Sequence, residues 1–124
     1  MSELTKILEG DTDGMTTYEY IVNNIDTCSE DMTAIVDNLK RVDVSGQFLA
    51  STARFLMAVD PERFSIWLTP LVDAAIQKDR EHKYILSLLE AIWGKDYADR
   101  ADELRESDDN FRRIYKRVFP QSPI

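Results

Sequence analysis

One cysteine and one histidine in 124 residues remove several chemistries at the outset. Cys28 cannot close a disulfide within the chain or build a cysteine zinc cage, and its acidic neighbours disfavour a thiolate. It reads as a structural or incidental thiol. His82 excludes any metal site that needs two imidazoles from one chain. Asp79 and His82 stand three apart, but carboxylate-bridged di-metal bundles use two such histidine motifs with further carboxylates, so His82 reads as solvent-facing. The four glycines, Gly10, Gly14, Gly46 and Gly94, are too dispersed for a phosphate loop, and nothing resembles a nucleophile elbow. No run of about eighteen apolar residues is available to span a bilayer. The segment MSELTKILEGDTDG has neither the basic start nor the apolar stretch of a secretory signal. The expectation is a cytoplasmic chain with no cofactor and no metal, and one that leans away from being an enzyme.

Positive charge is also scarce, with 15 Lys and Arg against 23 Asp and Glu and a net charge of −8. Such a field repels phosphate backbones and anionic lipid. Partners are therefore expected to be another protein or a second copy of the chain, not nucleic acid or membrane. The charge is uneven. Up to Asp31 only Lys6 offsets a series of acids, and from Asn110 onward Arg112, Arg113, Lys116 and Arg117 meet no acid. Charge poles of this kind steer association and fix its register.

What the chain has is helical periodicity. Few glycines and prolines argue against a meander of strands, and the length suits one domain with its own core. The sharpest stretch runs from Asp60 to Gly94. Asp60 followed by Pro61 is a helix-start signal. Phe64, Trp67, Leu68, Leu71, Val72, Ala75 and Ile76 recur on one helix face. Pro70 predicts a kink or break near Thr69, because proline lacks the N–H and crowds the preceding turn. The pattern restarts at Ile85, Leu88, Leu89 and Ile92 and ends at Gly94, the place of a left-handed cap. So short a connection predicts an antiparallel pair.

Residues 69–92, TPLVDAAIQKDREHKYILSLLEAI, resemble one HEAT-type unit. Pro70, Asp79 and Lys83 take the places of that family's first-helix proline, turn aspartate and early second-helix basic residue. The resemblance implies a scaffold that binds other proteins.

Elsewhere, Leu4, Ile7 and Leu8 make one amphipathic turn, and Gly10 to Gly14 break it. Glu9, Asp11, Asp13 and Gly14 imitate the start of a calcium loop, but the twelfth position is Tyr20, where a bidentate Glu is needed. The segment reads as an acidic surface turn. Thr16 and Glu19 resemble a capping box ahead of Tyr18, Ile21, Val22 and Ile25. A second stripe is Met32, Ile35, Val36 and Leu39. A third, wider one starts near Ser45 and includes Phe48, Leu49, Thr52, Ala53, Phe55, Leu56 and Val59, so that helix is expected to be central. After Gly94, Asp96 is read as the cap of a short acidic-faced helix with Tyr97, Ala101 and Leu104 inward. Ser107 or Asp108 caps a last helix whose Phe111, Ile114, Tyr115 and Val118 face the core while its basic residues stay in solvent.

The fold expected is all-α: a single compact domain of six to seven helices in antiparallel hairpins, with HEAT-like superhelical stacking or, alternatively, an irregular orthogonal bundle. Residues 1–15 are expected to be poorly structured, 16–119 to form the helical domain and 120–124 to be a frayed tail. The function expected is a non-enzymatic protein-interaction or adaptor module, with self-association included, that uses Arg112, Arg113, Lys116 and Arg117 as its partner-binding residues. The alternative is a small helical enzyme or ligand-binding regulator with a cleft near His82, Trp93, Tyr97 and Arg100.

Overall fold

A computed structural model describes residues 3–120. Of the tail expected to fray, 120–124, residues 121–124 lie outside the described residues. Within them the chain is all-α and a single compact unit. Its helices are α1 (Glu3–Gly10), α2 (Met15–Asn23), α3 (Met32–Val42), α4 (Gln47–Val59), α5 (Ser65–Lys78), α6 (Leu86–Trp93), α7 (Ala101–Ser107) and α8 (Asp109–Val118), with one 3₁₀ turn, Cys28–Asp31. The amphipathic turn read at Leu4, Ile7 and Leu8 extends into all of α1, which is why there is one helix more than the sequence pattern gives.

The helices lie in two layers. One contains α2, α4 and α6, packed in that order, and the other contains α3, α5 and α8. Helices α5 and α8 run parallel. Asn110 Nδ2 donates to the Thr69 carbonyl, Arg113 pairs with Asp73, and Arg117 donates to the Ile76 carbonyl, so contacts advance together along both helices. Helix α4 packs on both α5 and α6 and is the centre of the structure, as its wide apolar face implies. The core between the layers holds Ile35, Leu39, Leu49, Leu56, Phe64, Leu71, Ile85, Leu88 and Phe111, all fully buried. Each such side chain contributes about 1.5–3 kcal/mol through removal from water. Between α2 and α4 the rings of Tyr18, Phe48 and Phe55 meet at centroid distances of 6.2 and 6.4 Å.

One turn device occurs three times. The aspartate just after α1, α3 and α5 is buried and turns its carboxylate onto the start of the next helix. Asp11 accepts from the N–H groups of Asp13, Gly14 and Thr17 and from the Thr17 hydroxyl. Asp43 accepts from the N–H groups of Ser45, Gly46, Phe48 and Leu49. Asp79 accepts from those of Lys83, Tyr84 and Ile85. The first N–H groups of a helix have no partner within it, and here a side chain from before the turn supplies one. Three residues after each aspartate the backbone turns left-handed, at Gly14 (φ 106°), Gly46 (φ 85°) and His82 (φ 58°). A Cβ on Gly46 would stand 3.0 Å from the Ala75 carbonyl oxygen, so the α3–α4 turn lies directly against the end of α5.

Several predicted helix starts move for this reason. Thr16 and Glu19 do not form a capping box, since α2 starts at Met15 with Asp11 satisfying its donors. Likewise α4 begins at Gln47 under Asp43, not at Ser45. Asp60 bonds the Arg63 N–H at 3.1 Å in a turn, and α5 begins only at Ser65. Asp96 leads into turns, and α7 starts at Ala101. Asp108 is the cap expected for α8 and accepts from the Phe111 N–H at 3.2 Å. Helix α5 is not broken at Pro70. The carbonyl left without a donor belongs to Ile66, four residues earlier, and Ile66 is 70% exposed, so water can serve it.

Candidate functional site

The surface with the most distinctive chemistry is an edge where the helices of one layer end. Helix α3 ends in Lys40 and Arg41, α5 in Lys78, and α8 in Lys116 and Arg117. Cations there complement the partial negative charge of a helix C-terminus. The ends are tied together: Lys78 Nζ donates to the Lys40 carbonyl and Arg117 to the Ile76 carbonyl at 2.7 Å. The turn after α5 adds Arg80 and Lys83. Lys83 pairs with Glu81 at 2.7 Å, and the hydrogen bond and charge of Glu81 raise its pKa. Asp43 and Asp79 lie beneath this edge with their oxygens turned onto backbone N–H groups. Between the two turns is an open hollow of about 540 Å³ lined by Val44, Ser45, Gln77 and Tyr84, by the cations Lys78, Arg80 and Lys83, and by the acids Asp79 and Glu81.

The partner-binding residues read from the sequence are divided by the fold. Phe111 and Ile114 are fully buried, so α8 belongs to the core. Its basic residues do not all remain in solvent. Arg113 reaches Asp73 at 2.5 Å and Asn110 at 3.3 Å, and Arg117 is bound to the end of α5. Arg112 pairs with Asp109 on its own helix. Lys116 stands exposed. Arg113 and Arg117 thus hold α8 to α5, a use that sequence could not show because the acceptors lie on another helix.

The cleft read from His82, Trp93, Tyr97 and Arg100 does not assemble as one group. His82 sits in the turn before α6, and Trp93 ends that helix, about 12 Å away along the axis. Trp93, Tyr97 and Arg100 do gather. The Trp93 Nε1–H donates to Asp108 at 2.8 Å, the Trp93 and Tyr97 rings lie edge-on to Phe111, and Arg100 donates to the Trp93 carbonyl. The hollow beside Trp93 measures about 60 Å³, far below the roughly 300–1,000 Å³ of small-molecule sites. A larger hollow of about 550 Å³, between Pro70 and Asn110, contains Asp73, Asp108 and Asp109. Their carboxylates are engaged by Arg113, Trp93 and Arg112 respectively.

The acidic loop is occupied by its own chain. Burial alone raises the Asp11 pKa, but hydrogen bonds from the Thr17 hydroxyl and from the N–H groups of Thr17, Gly14 and Asp13 outweigh it and hold the carboxyl below its usual range. Asp13 accepts from the Met15 N–H. Burial pushes the Cys28 thiol up despite the nearby Arg63 guanidinium, which fits a structural cysteine. Among the described residues no group of three His, Cys, Asp or Glu is placed to hold a metal ion, and no helix is long and apolar enough to cross a membrane.

Sequence reading missed Lys78, Arg80 and Lys83 as part of a surface. The signal that could have found them is the even spacing of Lys40, Lys78 and Lys116, each in the last turn of its helix. Fold and surface define a compact all-α protein with a basic edge. Comparison with protein families, curated proteins and solved structures finds no match to this chain.

Proposed function

We propose that the chain is a non-enzymatic protein-binding module that engages acidic protein surfaces through its basic edge. The observation that carries this reading is the convergence of the C-terminal ends of α3, α5 and α8, cross-linked by Lys78 and Arg117, on a protein whose net charge is −8. A local positive region in an acidic field orients an approaching partner and disfavours other poses. Self-association belongs to the same class, since the acid-rich segment before Asp31 is a complementary surface on a second copy. The ligand-cleft alternative has less support: the Trp93, Tyr97 and Arg100 side chains are engaged with their own chain, and the adjoining hollow is small.

The test is affinity capture from the protein's own cells with the intact chain and with an Arg80→Glu, Lys116→Glu double variant. Both residues are exposed, so the variant should keep its melting temperature. The expected result is a specific protein held by the parent, released by moderate salt and lost by the variant. Identical capture by both chains, insensitive to salt, would remove the basic edge from function.

A further inference from the structure

The hollow between the α3–α4 and α5–α6 turns combines two kinds of surface. Val44 is 81% exposed, large for an aliphatic side chain, and Tyr84 is half-buried beside it. Lys78, Arg80 and Lys83 line the same space, with Glu81 bound to Lys83. Its floor is fixed: Gly46 packs on Ala75 and Asp79, and the Asp79 carboxylate grips the backbone of Lys83, Tyr84 and Ile85. At about 540 Å³ it has room for one large side chain and the peptide on either side of it.

We infer that this hollow is a docking site for an acidic peptide segment bearing one apolar anchor residue. The anchor lies against Val44 and Tyr84, and flanking carboxylates meet Arg80, Lys83 and Lys78. Carboxylates suit the site better than phosphates. The cations are few and close to an apolar wall, whereas a polyphosphate draws affinity from many contacts and is repelled at long range by this chain. Glu81 limits the affinity by occupying Lys83, so neutralising it frees a cation for the ligand. The inference deepens the protein-binding reading and rests on it.

The test uses the full chain and a fluorescein-labelled Glu-rich peptide carrying one Phe, followed by anisotropy. Controls are the same peptide with Gln for Glu, the acidic peptide without Phe, and a single-stranded oligonucleotide of equal charge. Saturable binding is expected to the first peptide, with both peptide controls and the oligonucleotide weaker. Val44→Asp and Arg80→Ala should each weaken it by roughly tenfold, while Glu81→Gln should tighten it. All three side chains are exposed, and an unchanged melting temperature will show that the variants fold. Equal or tighter binding of the oligonucleotide would make this a phosphate site and overturn the inference. So would indifference to Val44→Asp, or concentration-dependent self-association of the parent that Val44→Asp abolishes, which would make a second copy the occupant. If the edge variant loses its cellular partner while the peptide never binds here, only the hollow is misassigned and the wider reading stands.

Discussion

His82 occupies a backbone position that the two equivalent turns give to glycine. A non-glycine residue in the left-handed region costs roughly 1–2 kcal/mol, and His82 is exposed, with little burial to offset that cost. His82→Gly should therefore stabilise the protein by about 0.5–1 kcal/mol net of glycine's greater unfolded entropy, read as a higher midpoint in urea. Thr52 is another local defect. It is fully buried on α4, and its hydroxyl has no hydrogen-bond partner among the described residues. Thr52→Val keeps the shape and removes the buried polar atom, so it should stabilise by about 1 kcal/mol. Asp11 links stability to pH. Its folded pKa is depressed, so the unfolded chain takes up the proton first as pH falls. The stabilisation is complete above the unfolded value near 4 and disappears as pH drops through the lower folded value. An acid titration of parent and Asp11→Asn should show the stability difference between them shrinking below about pH 4.

Helix α8 is held by apolar burial and by two guanidinium contacts to α5. Arg113→Glu would set a carboxylate against Asp73, where Arg113 now bonds at 2.5 Å, and should cost about 1 kcal/mol, since Asp73 remains partly exposed and solvent screens the pair. Lys116→Glu, one turn along and exposed, should change stability by less than about 0.5 kcal/mol. The two melting curves, measured side by side, separate the cation that joins helices from the one that faces solvent. If both variants melt alike, the Arg113–Asp73 bond contributes nothing to docking. Helix α7 completes this end of the structure. Leu104 is buried, and the Arg105 guanidinium lies 5.0 Å from the centre of the Tyr115 ring.

For the whole molecule, the sequence made the helical class and most of the core legible, because Phe64, Leu71, Ile76, Leu88 and Phe111 recur at helical spacing and all are buried. Helix starts were less legible. The usual cap signal looks one to three residues ahead, whereas Asp11, Asp43 and Asp79 reach as far as the sixth residue. The repeated turn was hidden too, since Asp-x-x-Gly is common in any turn, its third copy ends in His82, and the intervals differ. The basic edge was legible only as separate helix ends, because the bonds from Lys78 to Lys40 and from Arg117 to Ile76 each cross about forty residues of chain.

The parallel seating of α8 on α5 also sets an order of events. The α1–α2 and α3–α4 pairs, each closed by an aspartate turn, form from local contacts, which are quickly found. Helix α8 has no such turn to its partner and must return across the whole of α6 and α7 to reach Thr69, Asp73 and Ile76. During synthesis the flank of α5 that receives it stays wet until α8 itself has emerged. In the finished protein this outer seam should open ahead of the rest. Native-state amide exchange should give the amides of 101–118 a lower opening free energy than those of α4 and α5. Equal protection across both regions would mean that the late-arriving helix has become part of a single cooperative unit.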